Sequence, residues 1–297
     1  MRRFSHYACF DWSGQAVARP KGLALATIGA ETEARPVLLR PQGGWSRAAA
    51  LDWLIAHAEA GTDILIGMDL SPSFPFVDAG SYFPGWEHSP ADARSLWALV
   101  DMMCDGDEHL GAGSFVRHHE ARRYFRHGKD DTGDRFGTAG TGRLRAVEQQ
   151  QRVTRQANSA SCFNLVGAAQ VGKSSLTGMR VLHRLAGRIP VWPFDPVPDS
   201  GPVIVEIYTT IAARAAGRGL SRSKVRDADG LHQALQALGA RAPTPLTVHD
   251  DHSTDALITA AWLRDAARNE VLWHSLWNPI ALDETIRITE GWTFGVK

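Results

Sequence analysis

Cysteine is scarce in this sequence. Three residues in 297, Cys9, Cys104 and Cys162, are widely spaced and form no CxxC pair. A disulfide framework or a zinc knuckle is therefore excluded, and reduced thiols in a cytoplasmic protein are the expectation. Long apolar runs are missing too, so no stretch reads as a membrane span. The amino terminus, MRRFSHYACFDWSG, is broken by His6 and Asp11 and does not read as a signal peptide. Net charge is zero, with 32 basic residues against 32 acidic ones. No global field draws the chain to nucleic acid or to an anionic membrane, so any nucleic-acid site must be a local patch. Lysine is rare as well. Most of the basic residues are arginines, which favour planar, bidentate contacts.

What is present is an ordinary globular composition, long enough for one large domain or two small ones. Short β-branched or apolar runs at Tyr7–Asp11, Leu23–Ile28 and Val37–Leu39 predict an antiparallel meander. Ser46–Ala60 follows as an amphipathic helix stopped by Gly61. Asp63–Leu70 has the continuous apolar character of a central strand, and SPSFPF cannot continue it. A helix is predicted at Ser89–Met103, another from the glycine-rich segment before Ser174 to Ala186, and a strand at Val203–Tyr208. Helices are then predicted at Asp229–Leu238 and from Asp251 to about Arg268. Thr293, Phe294 and Val296 have the pattern of a small closing strand. Regular patterning fails between about residues 77 and 161, which reads as an insertion in a single α/β domain spanning 1–297.

Carboxylates mark the candidate site. Asp11 and Asp69 each stand at the carboxyl end of a predicted strand, where open α/β sheets gather their sites. Asp255 lies three and seven residues before Ile258 and Trp262, on the inward face of the late helix, and Asp251 is one turn behind it. Buried unpaired carboxylates cost several kcal/mol, roughly, unless something compensates them. A bound cation is one solution. The other is that Asp251 or Ser253 caps the helix and Asp255 meets its positive end. Glu206 near the end of VIVEIY is a candidate ligand or an arginine partner.

Two further features carry phosphate chemistry. Arg117–Arg155 holds ten basic side chains against five acidic ones, a local excess of +5 that suits a nucleic-acid backbone or a solvated excursion. Gly167–Ser174 matches G-x-x-x-x-G-K-[ST], in which Lys173 would reach outer phosphates and Ser174 would ligate magnesium. Against a nucleotide-hydrolase loop, the run before it is short and contains Asn164. The motif also comes late in the domain, and Gly178 weakens the helix that follows.

The order of the acids, Asp11 after strand one, Asp69 after the central strand and Asp255 opening the late helix, resembles the ribonuclease H-like superfamily. His252–Leu257 is similar to the H-x-x-D-A-L helix signature of its RuvC-type branch. Gln170-Val171-Gly172, Trp192-Pro193-Phe194, Val205–Tyr208, Asp255-Ala256-Leu257 and Glu290-Gly291-Trp292 resemble a family of predicted nucleases with that fold, known only as a domain of unknown function. Thr209 departs from it, standing where a proline often follows the tyrosine. The resemblance implies a mixed five-stranded sheet flanked by helices, with a long insertion after strand four. It also implies two-metal hydrolysis of nucleic acid with Mg2+ or Mn2+. Asp11, Asp69, Asp251 and Asp255 are then the metal-ligand candidates, and His252 or Glu206 orients water or a ligand.

Overall fold

Alternation along the strands sorts the whole molecule into layers. In the computed structural model, which describes residues 2–137, 141–167, 170–219 and 224–297, β1 (His6–Asp11) buries every residue after His6. Ala8 and Phe10 face one hydrophobic core and Tyr7 and Cys9 the other, as the period of two requires. β2 (Ala24–Gly29) runs antiparallel beside β1, and β3 (Val37–Leu39) antiparallel beside β2. β4 (Ile64–Asp69) lies parallel to β1 on its other side. β6 (Val203–Glu206) is parallel to β4, and β5 (Val191–Trp192) closes that edge, parallel to β6. The sheet is mixed and six-stranded, in the order β3-β2-β1-β4-β6-β5.

Six strands, not five, is a correction with a local cause. β5 has two residues, held between Pro190 and Pro193. Two residues cannot display alternation, and prolines flanking a strand read as a turn. At the carboxyl terminus the opposite occurs. Among the described residues Thr293 makes one isolated bridge, to Glu206, so the expected closing strand reduces to one rung.

Helices cover both faces. On one lie α1 (Arg47–Glu59), capped by the Ser46 side chain accepting from the Ala49 N–H, α2 (Ala93–Met103) and α5 (Val171–Arg184). The other face is dominated by α8 (Asp251–Arg268), which packs on β1 and β2. Gly67 of β4 makes that approach possible, because a Cβ there would stand 3.0 Å from Ile207 and 3.2 Å from Leu263 of α8. α6 (Thr209–Ala215), α7 (Ala228–Ala237), α9 (Glu270–Trp277) and α10 (Glu284–Thr289) complete the chain. Among the described residues no helix is long and apolar enough to cross a membrane.

The described residues of the segment from 77 to 161 hold more regular structure than its patterning suggests. It carries α2, α3 (Gly113–Arg117) and α4 (Ala146–Val153), with 3-10 turns at Glu108–Leu110 and Ala121–Tyr124. Phe115, Tyr124 and Phe125 are fully buried with Phe74, Phe83 and Phe163, the last stacked on Phe74 at 4.8 Å. The buried carboxylate of Glu290 accepts from Phe76 and Val77 at one end of the excursion (2.6 and 2.8 Å) and from Ala146 at the other (2.5 Å). Residues 138–140 of this segment, and Ala168 and Ala169 of the glycine-rich segment, lie outside the described residues.

One contact joins the sheet to α5 and sets the shape of the cleft. The turn after β1 presses Gly14 against the start of α5, so that a Cβ on Gly14 would lie 2.2 Å from the Lys173 carbonyl carbon and 2.4 Å from the Ser174 nitrogen. Both neighbours are backbone and cannot rotate away. Gly14→Ala is therefore expected to destabilise the protein by about 1–3 kcal/mol, as overpacking does. Urea denaturation checks this, with a lowered midpoint at unchanged slope as the expected result.

Candidate functional site

Register brings the first two acids together. Asp11 and Asp69 are direct partners across the parallel β1–β4 pair, so their side chains leave the same face on strands about 4.8 Å apart. Parity fixes which face: Tyr7, Cys9 and Asp11 alternate on the α8 side, as do Leu65, Gly67 and Asp69. α8 lays its first turns over this edge and adds Asp255, which is 4% exposed. Asp250 caps the helix, accepting from the Ser253 N–H at 2.9 Å and from its hydroxyl at 2.7 Å. The expected caps, Asp251 or Ser253, do not serve.

Burial and mutual repulsion set the electrostatics. Burial pushes the Asp69 carboxyl well above its usual range, and the charges of Asp11 and Asp255 push it further. Among the described residues its one hydrogen bond comes from the Thr209 hydroxyl at 3.3 Å. Asp11 is also raised by burial, against the pull of His252, whose Nδ1 lies 3.1 Å from Oδ1. That hydrogen bond in turn raises the His252 imidazole above its ordinary value. Burial lifts Asp255 to about 6, although Lys224 acts the other way. The Lys224 ammonium donates to Asp255 Oδ2 at 2.5 Å. Asp251 is more open and faces Arg226 at 3.4 Å.

A cleft of about 610 Å³ opens over this edge, lined among others by Trp12, Gln15, Asp69, Lys173, Lys224 and His252. Asp11 and Asp255 stand behind that lining, each one hydrogen bond from the cleft through His252 or Lys224. A groove of about 640 Å³ on the 77–161 segment, lined by Trp86, Met102, Met103 and His118 among others, contains no carboxylate.

The remaining candidates do not join the three acids. Glu206 also lines the cleft, but as the register partner of Met68, not of Asp69, it leaves the sheet on the face opposite Asp69. There both its oxygens are held by the buried Arg145 guanidinium, and the Thr293 hydroxyl adds a bond at 2.7 Å. Of the two readings of Glu206, the arginine partner is the one realised. Lys173 is exposed on the cleft wall, whereas the Ser174 hydroxyl is turned back to the Val171 carbonyl at 2.7 Å. Among the described residues those before Gly167 form no strand of the sheet, and Asn164 stands in an isolated bridge with Arg126. Several arginines of the 117–155 patch are internally engaged. Arg145 is buried, Arg143 grips Asp78 at 2.6 Å, and Arg123 grips Asp134 at 2.7 Å. Lys224 and Thr209 touch the acids directly, but no sequence pattern marks Lys224 as a site residue, and Thr209 stands out only as a departure from the family pattern. The one available signal for Lys224 is that lysine is rare in a chain that otherwise uses arginine.

As they stand, the described residues contain no group of three or more His, Cys, Asp or Glu arranged as a metal cage. The donor chemistry nevertheless fits a hard divalent ion. At one buried edge Asp11 and Asp255 raise the pKa of Asp69, Asp11 raises that of Asp255, and the Lys224 ammonium bonds to Asp255. Comparison of the chain with protein-family models, curated proteins and solved structures gives no match.

Proposed function

We propose that the chain is a metal-dependent phosphodiesterase of ribonuclease H-like fold, related to the RuvC-type branch, that hydrolyses nucleic acid. The observation that carries this reading is the convergence of Asp11, Asp69 and Asp255 at the carboxyl ends of β1 and β4, beside an open cleft. The β3-β2-β1 meander beside parallel strands supports it, being the layout the family resemblance implies with one edge strand more. Asp11, Asp69 and Asp255 would hold Mg2+ or Mn2+, with Asp251 nearer solvent. The bound ions supply the charge that activates water and stabilises the leaving oxygen.

The chain's own residues have separate tasks. His252 fixes the orientation of Asp11 through its Nδ1, and Gly22 gives the ring room, since a Cβ there would stand 2.9 Å from its Cε1. Lys173, across the cleft, offers a flexible cation to a phosphate. Exposed arginines such as Arg117 and Arg122 extend the basic surface.

The test is cleavage of a labelled panel of DNA and RNA in Mn2+ and in EDTA. Cleavage in Mn2+ alone is expected, and no cleavage of any member would end this reading. Lys173→Ala is expected to weaken substrate binding by about 1–3 kcal/mol, the scale of one charged contact, while cleavage stays measurable. ATP hydrolysis abolished by Lys173→Ala but intact in Asp11→Asn would instead make the glycine-rich segment a nucleotide loop.

A further inference from the structure

The buried cations among the described residues are arginines held by several bonds each. Arg145 is 1% exposed and bonds to Glu148, Glu206 and the Glu290 carbonyl. Buried Arg180 holds Asp101 and the Gly111 carbonyl, and buried Arg47 holds the carbonyls of Ser13, Gln15 and His109. The cation on Asp255 is built differently. It is a lysine, one of five in the chain, and its side chain is 49% exposed in the cleft wall. Among the described residues a single hydrogen bond holds it, at 2.5 Å to Asp255 Oδ2. A planar guanidinium with several bonds is a permanent fixture. An ammonium on a four-carbon arm with one bond and solvent behind it can leave without disturbing anything else.

We propose that Lys224 is a removable counter-cation, holding the charge of Asp255 until a divalent ion displaces it. This rests on the metal-site reading above. The ammonium and a divalent ion compete for the same carboxylate and repel one another, so the ion enters only as Lys224 swings away. The site is thereby kept from presenting three unscreened carboxylates at one edge when no ion is bound. The displaced ammonium then stands in the cleft, where a phosphate diester would meet it. Ion binding and the appearance of a free cation for the substrate become one event, and thermodynamic reciprocity requires a bound phosphate diester to strengthen ion binding in return.

The experiment is a calorimetric titration of the full-length protein with Mn2+ alone, at one pH and salt concentration, for the wild type, Lys224→Met and Lys224→Gln. Both variants keep most of the arm and lose its charge. Tighter Mn2+ binding by about tenfold or more is expected in both, since a competing unit charge a few ångströms away has been removed. In EDTA, both should melt below the wild type, and Mn2+ should raise their melting temperatures by more than it raises that of the wild type. Asp255→Asn combined with Lys224→Met should erase the gain. Wild-type binding with equal or weaker binding in both variants would overturn the proposal and leave the metal site standing. No Mn2+ binding in any of the proteins would overturn both.

Discussion

Asp69→Asn is expected to abolish Mn2+-dependent cleavage while making the ion-free protein more stable at about pH 8. Among the described residues the carboxylate has one hydrogen bond, from Thr209, and it is repelled by Asp11 and Asp255. An amide of the same shape keeps that bond and removes the charge. Burial raises the folded-state pKa of Asp69 above its unfolded value. Its favourable contribution is therefore complete below an unfolded value of about 4 and is lost as pH rises through the folded value. Asp255 acts in the same sense between about 4 and its folded value of about 6. His252, raised by Asp11, gives stability that is present below about 6.5 and lost above its own folded value. The ion-free wild type should thus weaken from mildly acid to mildly alkaline pH, and Asp69→Asn should flatten that slope. A gain of about 1–3 kcal/mol at pH 8 is the scale set by relieving a poorly compensated charge, discounted for the part of Asp69 that faces the cleft. Cleavage should fall by about a thousandfold or more, because a ligand of the reacting centre is gone. Thermal melts in EDTA across this pH range, with cleavage assays in Mn2+, make the comparison. A variant less stable than wild type at pH 8, or one that cleaves within tenfold of it, would remove Asp69 from the centre. Asp11→Asn should lose cleavage too, but without the gain in stability, since it also takes away the charge that His252 faces.

The expectation that Asp11 and Asp69 stand together needed only strand ends and the rule that sites gather there. Their strands are apolar enough to be visible without any partner, and α1 announces itself by its cap and its stop. Register is different. Whether Glu206 shares a face with Asp69 or opposes it depends on a one-residue offset between β4 and β6, and a one-residue slip exchanges every side chain between faces. VIVEIY holds no trace of that offset. The aromatic residues of the 77–161 segment were equally silent. Phe115 is buried from the five-residue α3, and Tyr124, Phe125 and Phe136 from a 3-10 turn and irregular backbone, so no sustained period of 2 or 3.6 displays them. The cap of α8 falls among Asp250, Asp251 and Ser253, all competent, and only backbone geometry selects Asp250. Lys224 reaches its acid from a loop, where spacing carries no information about contact.

Removing Arg145 should produce the largest loss of stability. Its guanidinium and backbone N–H meet two buried acids, with Nε 2.8 Å from Glu148 Oε1, NH1 2.9 Å from Glu206 Oε2 and the backbone nitrogen 2.6 Å from Glu148 Oε2. It also donates to the Glu290 carbonyl at 2.9 Å, so one side chain ties α4, the end of β6 and the turn after α10. Arg145→Ala would leave two carboxylates in the interior with no cation, and broken buried pairs cost about 3–5 kcal/mol. Glu206→Gln is the informative contrast. It leaves Arg145 and Glu148 balanced one to one, and the amide oxygen still accepts from Thr293. Its cost should stay near the ~0.5–1.5 kcal/mol of an ordinary hydrogen-bond change. Because Glu206 leaves the sheet on the face opposite Asp69, Glu206→Gln should also keep Mn2+-dependent cleavage within a few-fold of wild type. Urea denaturation of both variants and cleavage by the folded Glu206→Gln protein decide the matter. Cleavage lost in Glu206→Gln as fully as in Asp69→Asn, with the fold intact, would return Glu206 to the reacting centre. Equal destabilisation by the two substitutions would mean that Arg145 is not the cation on which both acids depend.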